Sequence, residues 1–119
     1  MEVCVDTLES ALNAFYGQAK RIELCSSLNE GGLTPTYGLF KSIRNHLDKI
    51  DPEHHFKINC MIRLRAGDFN YTDSEMESMM EDAKKFIELD TDGTNIQFNI
   101  EFLFWIYLIL VIKDWFLVP

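Results

Sequence analysis

Glu2-Val3-Cys4-Val5-Asp6 and Arg21-Ile22-Glu23-Leu24-Cys25 each alternate polar and apolar residues, and a helical pattern separates them. Alternation of period two marks a strand with two unlike faces. Between the two stretches, Leu8, Ala11, Leu12 and Phe15 recur at helical spacing, and Gly17 suits the helix end. Asp6 reads as the N-cap, with Glu9 reaching back to it. The reading is strand, helix, strand.

The same unit continues outward. Residues 26–32 form a polar, glycine-bearing loop. Thr34-Pro35 reads as N-cap and first helical residue, because proline lacks only an N–H that is unpaired there anyway. Phe40, Ile43, Leu47 and Ile50 give that helix its stripe, and Pro52 lies beyond its end. Residues 56–63 read as a third strand. Thr72 and Glu75 form a capping box for a third helix. Its core stripe is Met76, Met79, Met80, Ala83, Phe86 and Ile87. Three βα units joined by short links predict a parallel sheet, doubly wound or of the (β/α)8 barrel type.

Composition narrows the function. The 119 residues fit one small domain, and 47% apolar residues are enough for a core. A net charge of −8 argues against a nucleic-acid partner, which needs a basic face. Three cysteines make no disulfide scaffold, and their spacing matches no zinc ribbon, so free thiols in a reducing compartment are expected. The first residues carry neither a basic stretch nor a long apolar run of the secretory type, which argues against secretion.

Strand parity places Glu2, Cys4 and Asp6 on one face of the first strand, and Arg21, Glu23 and Cys25 on one face of the second. In matching register Glu2 lies beside Glu23 and Cys4 beside Cys25, on strands about 4.8 Å apart. Two adjacent carboxylates repel and need a cation. Arg63, at the end of the third strand, is the expected counter-charge, and Asp68 is expected to hold Arg65. Two neighbouring thiolates form a soft site suited to Cu(I). On spacing alone, the plainer reading of Cys4 and Cys25 is as small buried hydrophobes. Cys60 has the opposite parity and reads as core. The methionine stripe reads as helix core, and His54-His55 as a loop pair. Glu30-Gly31-Gly32 reads as a turn, with anion binding through its amides as the other option.

These residues carry a family likeness. Glu2-Val3-Cys4-Val5-Asp6, Arg21-Ile22-Glu23-Leu24-Cys25, Glu30-Gly31-Gly32-Leu33-Thr34-Pro35 and Ile62-Arg63-x-Arg65-x-Gly67-Asp68-Phe69 resemble the CutC copper homeostasis family over residues 1–93. The resemblance implies a TIM-barrel (β/α)8 fold, a cytoplasmic setting and a role in copper binding and tolerance. It matches Cys4 and Cys25 to positions proposed for copper ligation. It matches Glu2, Glu23, Arg63, Arg65 and Asp68 to a polar cluster inside the barrel. Three segments depart from the family, the His54-His55 region among them. Gly17-Gln18-Ala19-Lys20 stands where Gly-Gly-Ala-Asp is usual, and Leu64 and Ala66 replace a proline and a glycine around Arg65.

The end of the chain differs more. Residues 94–119 hold 18 apolar residues and only three charges, Glu101, Lys113 and Asp114, so the composition switches abruptly after Gly93. The unbroken apolar run 102–112 is shorter than the roughly 20 residues of a bilayer span, so no membrane partner is expected. A closed barrel needs about 250 residues. The expectation is therefore a CutC-like barrel truncated to about its first three βα units (1–93), followed by a non-homologous apolar tail (94–119). Open sheet edges would then invite self-association into homo-oligomers. Copper binding is the leading function and no catalytic residue is assigned. The alternatives are a barrel enzyme using Arg63 and Arg65 on an anionic small molecule, or an inactive fragment.

Overall fold

The computed structural model describes residues 1–89 and, as backbone, residues 96–99. Strands β1 (Glu2–Val5), β2 (Arg21–Leu24), β3 (Lys57–Met61) and β4 (Ile96–Asn99) form one parallel sheet in the order β1-β2-β3-β4. Helices α1 (Leu8–Tyr16), α2 (Tyr37–Ile50) and α3 (Asp73–Leu89) connect them in turn. Strand β4 lies beyond the three βα units expected. The order runs without reversal, and α1 touches α2 while α2 touches α3. A doubly wound sheet would reverse its order at a switch point; the described strands do not. The apolar tail, apart from the backbone of 96–99, lies outside the described residues.

One sheet face makes the core. Val5, Ile22, Leu24, Ile58, Cys60 and Ile62 are buried there against Ala11, Phe40, Ile43, Leu47, Met79, Met80, Ala83 and Phe86 of the helices. The expected parity of the strands is thus observed and Cys60 is core; the helix stripes hold except that Ile50 is exposed and Ile87 lies outside the core cluster, while Ala14 joins it. Phe40 meets Phe86 edge to face at 5.3 Å, linking α2 to α3, and Phe15 meets Phe56 at 5.4 Å. Such pairs add to the area they bury.

The ends of the elements show where local signals compete. Thr7, not Asp6, caps α1, accepting from the Ser10 N–H at 3.0 Å. Thr36 caps α2 through the Leu39 N–H, two residues later than Thr34. Thr34 is instead spent on β3: its hydroxyl accepts from the Arg63 N–H at 2.8 Å and its own N–H donates to the Arg63 carbonyl. Both displaced caps lie beside another residue able to cap, and tertiary contacts choose between them. The α3 capping box forms as read, with Glu75 N–H donating to Thr72 Oγ1 and Thr72 N–H to Glu75 Oε1. After α2, the buried Asp51 carboxylate accepts from the Phe56 N–H at 2.7 Å and pins the entry to β3. His54 and His55 lie in that connection, facing Asp48 and Asp51 with Glu53, respectively. Among the described residues, no helix is long and apolar enough to cross a membrane.

Candidate functional site

The second sheet face is polar. The register pairs Glu2 with Arg21, Cys4 with Glu23, and Glu23 in turn with Asn59. This differs by two residues from the matching register expected. Parity survives a two-residue slide, so every side chain keeps its face, but the neighbours change. Glu2 therefore lies beside a cation, not beside Glu23. Its carboxylate is 3.7 Å from Arg21 Nε and accepts from Asn59 Nδ2 at 2.8 Å. Asn59 is buried, and its Oδ1 has no hydrogen-bond partner among the described residues.

Arg63 is not the counter-charge of this face. Its guanidinium donates to the carbonyls of Glu30, Gly32 and Gly67 and lies over the Phe69 ring at 5.1 Å. It clamps the loop after β2 to the loop after β3. Arg65 is held by Asp68 as expected, at 3.2 Å, but also by Glu75 and by the carbonyls of Ala66, Asp68 and Asn70, over the Tyr71 ring. Both arginines are engaged in shaping loops at the C-terminal end of the sheet.

That loop network titrates in a predictable direction. The Asn70 N–H and the Arg65 guanidinium hold the Asp68 carboxyl below its ordinary range. Arg65, then the Thr72 N–H, do the same for Glu75. A lowered folded-state value gives order that is present above the ordinary carboxylate range and lost as pH falls through the lowered values. Amide hydrogen exchange in residues 66–72 is therefore expected to quicken as pH drops below about 4, after correction for intrinsic rates. In Glu75→Gln exchange should already be faster at neutral pH. Protection that is unchanged by acid and by Glu75→Gln would disprove this role for the carboxylates.

The two cysteines of the polar face lie in different environments. Cys4 is exposed, with its Sγ 3.8 Å from Glu23 Oε2. Cys25 is 1% exposed yet stands outside the hydrophobic core cluster that contains Cys60. Its Sγ lies 3.7 Å from the Val5 carbonyl. Burial, then the charges of Cys4, Glu23 and Asp6, push the Cys25 thiol up to about 11. Desolvation and Glu23 also raise Cys4. Both are thiols at neutral pH, so a metal bound there releases protons. Among the described residues, no three His, Cys, Asp or Glu side chains converge on a metal site.

The loop after β2 turns back over Cys25. A 3-10 turn, Leu28–Glu30, lies between Ser27 and Gly31, both in the left-handed region. The Glu30, Gly31 and Gly32 N–H groups donate to carbonyls within the loop, so this segment is a turn and its amides are spent. Ser26 and Leu33 exchange both backbone hydrogen bonds. Gly32, at φ +94°, thereby comes against Cys25 and Met61. A Cβ on Gly32 would lie 3.5 Å from Cys25 Sγ and 3.4 Å from Met61 Cε. Asn59 and Met61 were not singled out by sequence reasoning. The signal was present, because Lys57, Asn59, Met61 and Arg63 alternate with Ile58, Cys60 and Ile62.

Fold and site together define an α/β protein whose parallel sheet buries one face under helices and lines the other with carboxylates and thiols. The CutC family model matches residues 1–99, and the chain belongs to the CutC family. A CutC family protein of Salmonella newport (strain SL254) is 42% identical over 93 residues, covering 78% of this chain and 35% of that protein. A copper homeostasis protein cutC homolog of Dictyostelium discoideum is 48% identical over 81 residues, covering 68% and 28%. A crystal structure of CutC from Streptococcus agalactiae superposes with a TM-score of 0.66 at 34% identity, covering 80% of this chain and 42% of that one. The chain spans about a third of the length of the curated relatives it matches.

Proposed function

We propose that this chain serves copper homeostasis by holding Cu(I) with the thiolates of Cys4 and Cys25. The observation that carries the reading is their placement on one face of adjacent parallel strands, with Cys25 buried but apart from the hydrophobic cluster that holds Cys60. The donor set suits the ion: Cu(I) prefers soft sulfur and tolerates low coordination. The space above Cys25 that a Gly32 side chain would fill supports it further. The naming of the Dictyostelium relative points the same way. In this reading the four strands form the first part of the family's barrel wall, and the polar face lies inside the barrel.

A reaction on an anionic molecule is less well supported, because the guanidiniums of Arg63 and Arg65 already hold loop carbonyls and carboxylates. Anaerobic titration with Cu(I) against a competing chelator tests the copper reading. One tight equivalent is expected, and the Cys4→Ser, Cys25→Ser double variant should lose it. Equal binding by the double variant would overturn the assignment.

A further inference from the structure

We infer that the Met61 thioether is a third sulfur ligand for Cu(I), making with Cys4 and Cys25 a three-sulfur site beside Gly32. The inference rests on the copper reading above and names a ligand that reading does not contain.

Met61 stands apart from the methionines of α3. Met79 and Met80 are buried in the core, and Met76 packs against it. Met61 is half-buried and belongs neither to the core cluster nor to the residues packed on it. Strand parity explains this. Ile58, Cys60 and Ile62 enter the core, so Met61 faces the polar side with Asn59. The register next explains its neighbour. Leu24 pairs with Cys60, so the next residues along the two strands, Cys25 and Met61, lie side by side.

Gly32 then defines a shared space. The methyl end of Met61 and the Sγ of Cys25 both lie within 3.5 Å of the point where a Gly32 Cβ would be. The left-handed backbone at Gly32 disfavours a side chain there. Cys4 reaches the same face from β1 on the diagonal: it pairs with Glu23, two residues before Cys25 along β2. Thiolates and a thioether are the soft donors that select Cu(I) over hard cations. The flexible methionine side chain can move its sulfur toward an ion without moving β3. Binding needs no electron transfer: Cu(I) replaces the two thiol protons, which pass to solvent, and the neutral thioether adds its lone pair.

Two measurements on the full chain test this with Cu(I) alone. In Met61→Leu, which conserves volume, Cu(I) affinity should fall by about tenfold, the lower end of what supporting groups contribute at metal sites. Copper X-ray absorption should show three sulfur scatterers in the original chain and two in the variant. Growth on selenomethionine should introduce a Cu–Se distance in the original chain that Met61→Leu lacks, a readout independent of any change in folding. A two-sulfur site with no selenium neighbour overturns the thioether assignment. If the Cys4→Ser, Cys25→Ser variant still loses copper in that case, the two-thiol reading stands. If it binds as before, both fall.

Discussion

Phe40→Ala is expected to lower the free energy of unfolding by about 3–5 kcal/mol, the range for removing a buried aromatic ring. Phe40 has no exposed surface, and its ring edge packs on Phe86 at 5.3 Å. Its removal opens a cavity between α2, α3 and the sheet. The walls of that cavity are built into elements with other obligations. Helix α2 is fixed at its start by the Thr36 cap and followed by the Asp51 link to Phe56, and α3 by the Thr72–Glu75 box. They cannot close in freely, so the loss should sit in the upper part of the range. Small domains are stable by only about 5–15 kcal/mol, so this variant should lose a large fraction of its stability. Urea unfolding followed by circular dichroism reads the difference, with Phe40→Leu as a milder change in the same place. A loss below about 1 kcal/mol would show that the α2–α3 contact is not what holds the helices on the sheet.

What could be read from sequence divides along a physical line. Parity is a local property of the backbone, and it assigned the faces of β1 and β2 and the core position of Cys60. Helix stripes and the Thr72–Glu75 box are equally local, because their partners are three or four residues apart. Register is not local. A slide of two residues leaves the alternating pattern intact, so no pattern distinguishes Cys4 beside Cys25 from Cys4 beside Glu23. Only the packing of α1 between the strands makes that choice. Arg63 failed as a predicted counter-charge for a related reason. Its partners are backbone carbonyls of Glu30, Gly32 and Gly67, and carbonyls carry no sequence signature. Arg65 and Asp68 are three residues apart, within reach of one loop, and their pairing was legible. Met61 and Asn59 are legible in the alternation of β3, which its apolar content masks. The blocks of family likeness end near residue 93, and the family match runs to 99; β4 occupies the last four of those positions.

Gly32→Ala should weaken Cu(I) binding by roughly tenfold to a hundredfold without removing any sulfur. The added methyl would make ordinary contact with Cys25 and Met61, at 3.4–3.5 Å, so the metal-free chain accommodates it. An ion drawing the two sulfur side chains together would have to share that space. Overpacking of this kind costs about 1–3 kcal/mol, and a cost confined to the metal-bound form falls entirely on affinity, at tenfold per 1.4 kcal/mol. The substitution also places a side chain at φ +94°, which costs about 1–2 kcal/mol of stability by itself. Gly31→Ala separates the two effects. Gly31 has φ +85°, a similar backbone, but its Cβ would meet Arg63 Nη1 at 3.1 Å and no sulfur. The expected pattern is that both variants lose stability in urea, while only Gly32→Ala loses copper in competition with a chelator. Equal copper affinities for Gly32→Ala and the original chain would place the ion elsewhere on the polar face. Equal losses in both variants would mean that the loop's backbone, and not the space beneath Gly32, governs binding.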